Sequence, residues 1–321
     1  MKRALIVLIG FLLLLAGLNR LRVKQSSAQT SSQAGTKPSL TEARHGFTTK
    51  LVRQVAQNKP VPSPPRQLFR SVRYDSPAGR LAAYVSQPPK DGRRHPAIVW
   101  VIGGFGNDLG TTPWREASPD DDQSASAFRK AGIVTMYPSF RGGNDNPGYQ
   151  EGFFGEVDDV LAAADYLAKQ DFVDPGRIYL GGHSTGGTLA LLAAESSGRF
   201  RAVFAFGPVE DVAGYGPKNL FFDTSNRQEL ALRSPKLWLH SIKNPTFVFE
   251  GTESPGNLSS LRSLERASSN PMVQFYPVPG FDHFSILSPM TRLLATKVLN
   301  DSGPATNIAF TKEELAGLKV R

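Results

Sequence analysis

The chain contains no cysteine. That excludes disulfides, thiolate metal sites and a cysteine nucleophile, and it removes a lipid-modified cysteine as an anchor. Histidine is scarce, with five in 321 residues, so any chemistry that needs an imidazole has few places to reside. Acidic charge is almost missing from the N-terminal part. Residues 1–66 hold one acid, Glu42, against 11 of the 37 Lys and Arg, which leaves 26 basic and 27 acidic residues in 67–321. The formal net charge of +9 therefore belongs to the N-terminal segment. The body has no basic excess for a nucleic-acid partner.

What is present begins with Met1-Lys2-Arg3 and an apolar run from Ala4 to Leu18. As a helix that run would span about 22 Å, short of the ~30 Å hydrocarbon core but long enough for the apolar part of a signal peptide. Residues 1–24 are expected to be a signal peptide or an N-terminal membrane anchor, making the protein exported or membrane-tethered. Arg20, Arg22 and Lys24 behind the run favour retention, while Ser26-Ser27-Ala28 would suit cleavage. Residues 25–66 are expected to be a disordered linker, Ser/Gln-rich and then Pro-rich, with a possible short helix in 41–58.

From Gln67 the pattern is α/β. Leu68–Tyr74 and Arg80–Ser86 alternate like an antiparallel hairpin around Ser76-Pro77-Ala78-Gly79. Ala97–Ile102, Ile133–Tyr137, Ile178–Gly181, Ala202–Phe206 and Thr246–Phe249 are short, nearly continuous apolar runs, as in strands covered on both faces. Gly155–Lys169 carries Val157, Val160, Leu161, Ala164 and Leu167 on one helical stripe. The spacing predicts an α/β fold over residues 67–305: a mostly parallel sheet, helices on both faces and an N-terminal antiparallel hairpin. A helical tail over 306–321 would start at the capping box Thr311-Lys312-Glu313-Glu314.

The most informative motif is Gly182-His183-Ser184-Thr185-Gly186, between a strand and a helix. A sharp strand-to-helix turn strains the serine backbone, lifts its Oγ clear of the sheet and requires small residues two positions to either side. Ser184 is therefore the candidate nucleophile, and the N–H of Thr185 the first oxyanion donor. Gly103-Gly104-Phe105-Gly106 follows the strand at 97–102, and Gly104 or Phe105 is the candidate second donor. It lacks the spacing of a dinucleotide-binding fingerprint.

A serine needs a base, and the base an orienting acid. Only His240 and His283 follow the elbow. His240 falls on the back half of a presumed amphipathic helix, whereas His283, in Pro279-Gly280-Phe281-Asp282-His283, lies in a loop after the strand Val273–Pro277. For the acid, Glu253 just beyond the strand at 246–249 is preferred. Glu250 at the strand end is the runner-up, Glu210 and Asp211 are a further option, and Asp282 is too near its histidine in sequence. Trp114 either walls the substrate pocket or packs on its own loop. Asp120-Asp121-Asp122 is read as a helix cap for a helix beginning near Gln123, in preference to a calcium site.

Several stretches together resemble the catalytic domain of the prolyl oligopeptidase family of serine peptidases, from roughly Pro96 to Leu299. They are Tyr137-Pro138-Ser139-Phe140-Arg141-Gly142-Gly143, Glu156 to Leu167, Val173-Asp174-Pro175-Gly176-Arg177-Ile178, the Ser184 elbow and Gly280-Phe281-Asp282-His283. The resemblance implies an α/β-hydrolase fold over residues 67–305 and cofactor-free cleavage of a small peptide or ester substrate through an acyl-enzyme, with Ser184, His283 and Glu253 as triad. The family's usual Asp is absent from the aligned loop Gly251-Thr252-Glu253-Ser254. The residues before Pro96 are too few for the β-propeller of the large members. A carboxylesterase of dienelactone-hydrolase-like type is the alternative, and a non-catalytic binding module on the same fold a more distant one.

Overall fold

The computed structural model describes residues 37–319. The presumed leader of residues 1–24 lies outside them, and among the described residues no helix is long and apolar enough to cross a membrane. Residues from Pro38 onward form a single compact unit.

Its centre is an eight-stranded sheet in the order β1-β2-β4-β3-β5-β6-β7-β8. Strands β1 (Phe69–Ser76) and β2 (Gly79–Ser86) form the expected hairpin, closed by the two residues between Ser76 and Gly79. Strand β2 pairs antiparallel with β4 (Val134–Pro138). From there β3 (His95–Val101), β5 (Val173–His183), β6 (Val203–Phe206), β7 (Thr246–Gly251) and β8 (Val273–Val278) run parallel. This is the α/β-hydrolase fold. Parallel strands need crossover helices, and those cover both faces.

Alternation along each strand divides the core into two chemically distinct layers. Val99, Val101, Leu180, Val203, Ala205 and Val248 point to one face. There they meet α3 (Gly155–Ala168), α4 (Thr185–Ser196) and α6 (Leu258–Ala267). Trp100, Tyr179, Phe204, Phe206, Phe247 and Phe249 point to the other, toward α7 (Leu287–Asn300) and α8 (Lys312–Ala316). The short side chains let α4 lie close to the sheet, whereas aromatic bulk fills a wider gap on the opposite side. Each fully buried Phe there contributes about 1.5–3 kcal/mol.

The linker was expected over residues 25–66; residues 25–36 lie outside the described residues, and from Pro38 the chain packs on the body. Helix α1 (Leu40–Arg44) begins at a capping box between Ser39 and Glu42, and Leu40 is fully buried. Arg44 forms a fork of two 3.0 Å bonds to Asp158 on α3. Further along, Leu51 pairs as a bridge with Phe222, the N–H of Gln57 donates to Gly142, and Tyr84 donates to the carbonyl of Pro62. The apolar residues of this stretch thus cover α3 and α4 in place of forming a core of their own. The helix expected around His240 is replaced by two isolated 3-10 turns, Pro235–Leu237 and Leu239–Ser241. Pro235 and Pro245 bracket too short a run for a packed α-helix.

Candidate active site

The sheet gathers the site at the carboxyl ends of its strands, where ligands of open parallel sheets bind. At the end of β5 the chain turns through Ser184, with φ 56° and ψ −116°, directly into α4. That conformation costs a non-glycine residue about 1–3 kcal/mol and is held by its surroundings. Ser184 N–H donates to Phe206 O at 2.8 Å, and its carbonyl accepts from Thr188 N–H at 3.0 Å. A Cβ on Gly182 would strike the Gly186 carbonyl, and one on Gly186 would strike that of Val101. The two glycines of the motif are thus required by close backbone contact.

Thr185 opens α4, so its N–H has no partner within the helix and faces outward with the helix dipole. The Gly103-Gly104-Phe105 loop packs on this turn: a Cβ on Gly103 would lie 3.2 Å from Ser184 Cβ. Gly104 N–H donates to Thr185 Oγ1 at 2.8 Å, and that hydroxyl donates to the Gly104 carbonyl at 2.6 Å. Of the two expected donors Gly104 is therefore already engaged, and Phe105 N–H makes no hydrogen bond among the described residues.

The candidate acid and base come from the end of β7 and the loop after β8. His283 Nδ1 lies 3.0 Å from Glu250 Oε2, with Glu250 1% and His283 8% exposed. Glu253, the preferred acid, is exposed and takes a bond from Thr252 Oγ1 at 3.0 Å; it does not reach the imidazole. The reason is the length of β7. The strand continues to Gly251, where a Cβ would strike the carbonyl of Phe281. The histidine loop therefore lies directly on the strand end, and the side chain within reach is the one at that end. Asp282 is used by its own turn, accepting from the N–H groups of Phe284 and Ser285. Those bonds, that to Ser285 foremost, hold its carboxyl below the usual range. Asp211 caps the turn at Val212–Tyr215 through Ala213 N–H, and Glu210 offers only its carbonyl, to Lys236 N–H.

His183, beside Ser184, has a part the motif did not reveal. Its Nε2 lies 2.9 Å from the carbonyl of His283, and the two rings stand 4.5 Å apart. Burial, helped by the neighbouring imidazole, drives its pKa down to about 3. It is thus neutral, with the proton on Nε2 donated to that carbonyl, and it ties the base loop to the elbow. Ser184 Oγ makes no hydrogen bond to His283 among the described residues; such contacts are often long without substrate and tighten on binding.

The other residues singled out in the sequence lie apart from this cluster. Trp114 packs against Tyr84 and Phe69, at 4.9 and 6.2 Å between ring centres. Asp122 accepts from Ser126 N–H at 3.1 Å, but the cap position of α2 (Ser126–Lys130) is Ala125 and has no side-chain cap bond, and that helix starts three residues later than expected. His95 pairs with Asp91, and His240 with the carbonyl of Pro38. An aromatic wall over the elbow was not foreseen: Phe105 meets Tyr215 edge-on at 5.2 Å, and Tyr215 stacks on Phe153 at 5.5 Å. Tyr215 OH bonds Thr188 Oγ1 at 2.7 Å, which fixes the wall to α4. These three residues stand far apart in sequence, and no local pattern joins them.

Residues 119–235 match the prolyl oligopeptidase family. That stretch contains the Arg141 turn, α3, the elbow and α4. No curated protein sequence matches the chain. Among solved structures, a puromycin-hydrolyzing peptidase of Mycobacterium tuberculosis is similar at TM-score 0.58 and 22% identity, over 73% of this chain and 39% of its own. An acylaminoacyl peptidase of Pyrococcus horikoshii is similar at 0.57 and 17%, over 78% and 44%. A hyperthermophilic esterase of Pyrobaculum calidifontis is similar at 0.54 and 17%, over 76% and 87%. The chain thus spans less than half the length of these two peptidases. Family match and fold together support a serine hydrolase.

Proposed function

We propose that this chain hydrolyses a peptide or ester bond through an acyl-enzyme on Ser184, with His283 as general base and Glu250 as the acid that orients it. Ser184 Oγ attacks the carbonyl carbon while its proton passes to His283 Nε2. The oxyanion is met by the N–H groups of Thr185 and Phe105. Collapse breaks the bond to the amine or alcohol, which leaves with the proton from Nε2. Water then repeats the sequence on the acyl-enzyme and releases the acid. Glu250 keeps the proton on Nδ1 and stabilises the imidazolium.

The observation that carries this reading is the buried Glu250–His283 pair, 3.0 Å apart, at the edge where the strained serine emerges. A binding module would have no need for that pair beside a strained serine. The experiment is fluorophosphonate labelling of the full-length chain with the modified residue located by mass spectrometry, alongside turnover of aryl esters and peptidyl amides. Labelling at Ser184 with hydrolysis of either substrate class supports the proposal. Absence of both labelling and turnover in folded protein would favour the binding module. Esters cleaved without any amide cleavage would favour the carboxylesterase reading.

A further inference from the structure

Beside the oxyanion loop lies a narrow cavity of about 40 Å³, bordered by Phe105 and Thr185 and also by Asn107, Phe153, Asn219 and Phe221. That is room for about three non-hydrogen atoms. It touches none of Gly207, Glu250 or His283. The leaving group must sit beside His283, which protonates it, so the cavity takes the acyl side.

The cavity and the Glu250–His283 pair are held by different parts of the chain. Asn219 and Phe221 come from a stretch built of turns, Val212–Tyr215 and Pro217–Asn219. Its buried residues Val212, Leu220 and Phe222 form a small cluster apart from both layers of the core, so the stretch has little packing of its own to fix it. The N-terminal arm supplies the rest. Phe221 O accepts from the N–H groups of Val52 and Arg53 at 2.8 and 3.3 Å. Arg53 Nη2 donates to the carbonyls of Lys218 and Leu220 at 2.7 and 3.3 Å, and its guanidinium stands 5.1 Å from the centre of the Phe221 ring. Just upstream, Thr49 Oγ1 and Lys50 N–H donate to the Glu229 carboxylate at 2.9 and 2.7 Å. Arg233, fully buried, pairs with that carboxylate. It also donates to the carbonyls of Glu151 and Gly152 at 3.2 and 2.8 Å, which places the loop that carries Phe153. Farther along, Gln57 Nε2 donates to Asp108 Oδ1 at 2.6 Å, next to Asn107. Residues 49–57 thus grip each of the three loops that give the cavity Asn107, Phe153 and Phe221. None of their hydrogen bonds among the described residues reaches Glu250 or His283.

We propose that residues 49–57 are a strap that sets acyl selectivity, with Thr49 and Arg53 as positioning residues for the wall of the acyl cavity. The inference rests on the Ser184 hydrolase reading. Its test compares p-nitrophenyl butyrate with p-nitrophenyl acetate on the full-length chain. Two further methylenes in the cavity should favour the butyrate by about tenfold in kcat/KM. The double variant Thr49→Val/Arg53→Ala is expected to bring that ratio within about twofold, through a higher KM for the butyrate and not a lower kcat. Leu40 is fully buried at the far end of the arm, so Leu40→Ala should lower Tm at least as much and keep the ratio. No butyrate preference in the unaltered protein, a preference that survives the double variant, or an equal loss in Leu40→Ala overturns the strap while leaving the hydrolase standing. A second measurement needs no substrate. Well below the unfolding transition, trypsin should cut after Lys218, whose carbonyl Arg53 holds, about fivefold faster in the double variant and at an unaltered rate in Leu40→Ala. An unchanged rate in the double variant overturns the proposal. Failure of fluorophosphonate labelling and of all turnover sinks both readings, an outcome distinct from the others.

Discussion

The two halves of the site are held in place by different physics. The Ser184 turn is positioned by backbone: a strained φ, two glycines in contact with neighbouring carbonyls, and a helix that starts at the next residue. The Glu250–His283 pair is positioned by side chains and by loop-on-strand packing between segments 33 residues apart in sequence. The first half tolerates almost no change in side-chain size at its glycines. The second depends on what surrounds it, including Gly207 and the bond from His183. A catalytic centre can thus be rigid on one side by covalent geometry and on the other only by burial and hydrogen bonding.

The comparison is tested first by removing one reacting group from each half. Ser184→Ala should lower kcat by about ten-thousand-fold or more with the fold intact, His283→Ala should come close, and the double variant should be little worse than either. Additive losses would mean that the halves do not act together. Space around the pair comes next. Gly207 has φ +56°, and a Cβ there would lie 2.6 Å from His283 Nδ1, whereas one on Gly214 meets nothing within 4 Å. Gly207→Ala should therefore cut kcat by about a hundredfold, and Gly214→Ala should leave it within about twofold.

Stability tests follow. Deleting residues 1–66 removes Leu40, the Arg44 fork and the bridge to Phe222, and should lower Tm by about 10 °C or prevent folding. Deleting only 1–37 should change Tm by no more than about 2 °C, measured by thermal denaturation. The smallest effect concerns the helix behind the base loop. Asp301, at the end of α7, accepts bonds from Arg201, Tyr179 and Thr306. Burial alone would raise its pKa, but those bonds outweigh burial and hold it at about 2, below the unfolded value of about 3.9. Its contribution is thus present above about pH 4 and fades as pH falls toward 2. Asp301→Asn should destabilise at pH 7 and converge with the unaltered protein near pH 2, as read from Tm against pH.

What could be read from sequence followed the same division. The elbow was legible because it is local: five residues, a strand before and a helix after. The hairpin turn and the Thr311 capping box were legible for the same reason, and the box is present with both reciprocal bonds. His283 was reachable because so few histidines follow the serine. The carboxylate beside it was not, since choosing between Glu250 and Glu253 requires knowing where β7 ends, and Gly251 prolongs it through contact with a loop 30 residues later. The arm from Pro38 to Arg66 has the composition of a linker, and only the grooves it lies in show that its few apolar residues are buried. Phe105, Phe153 and Tyr215 meet through tertiary packing alone.

The most direct test of the account is the pair of isosteric substitutions Glu250→Gln and Glu253→Gln, compared in kcat/KM on one soluble aryl ester. If Glu250 orients His283, Glu250→Gln should lose about a hundredfold to ten-thousand-fold while remaining above Ser184→Ala, and Glu253→Gln should stay within about twofold of the unaltered enzyme. The opposite ranking, or two variants of full activity, would contradict the assignment of Glu250 and with it the view that the strand end, rather than the loop beyond it, supplies the acid.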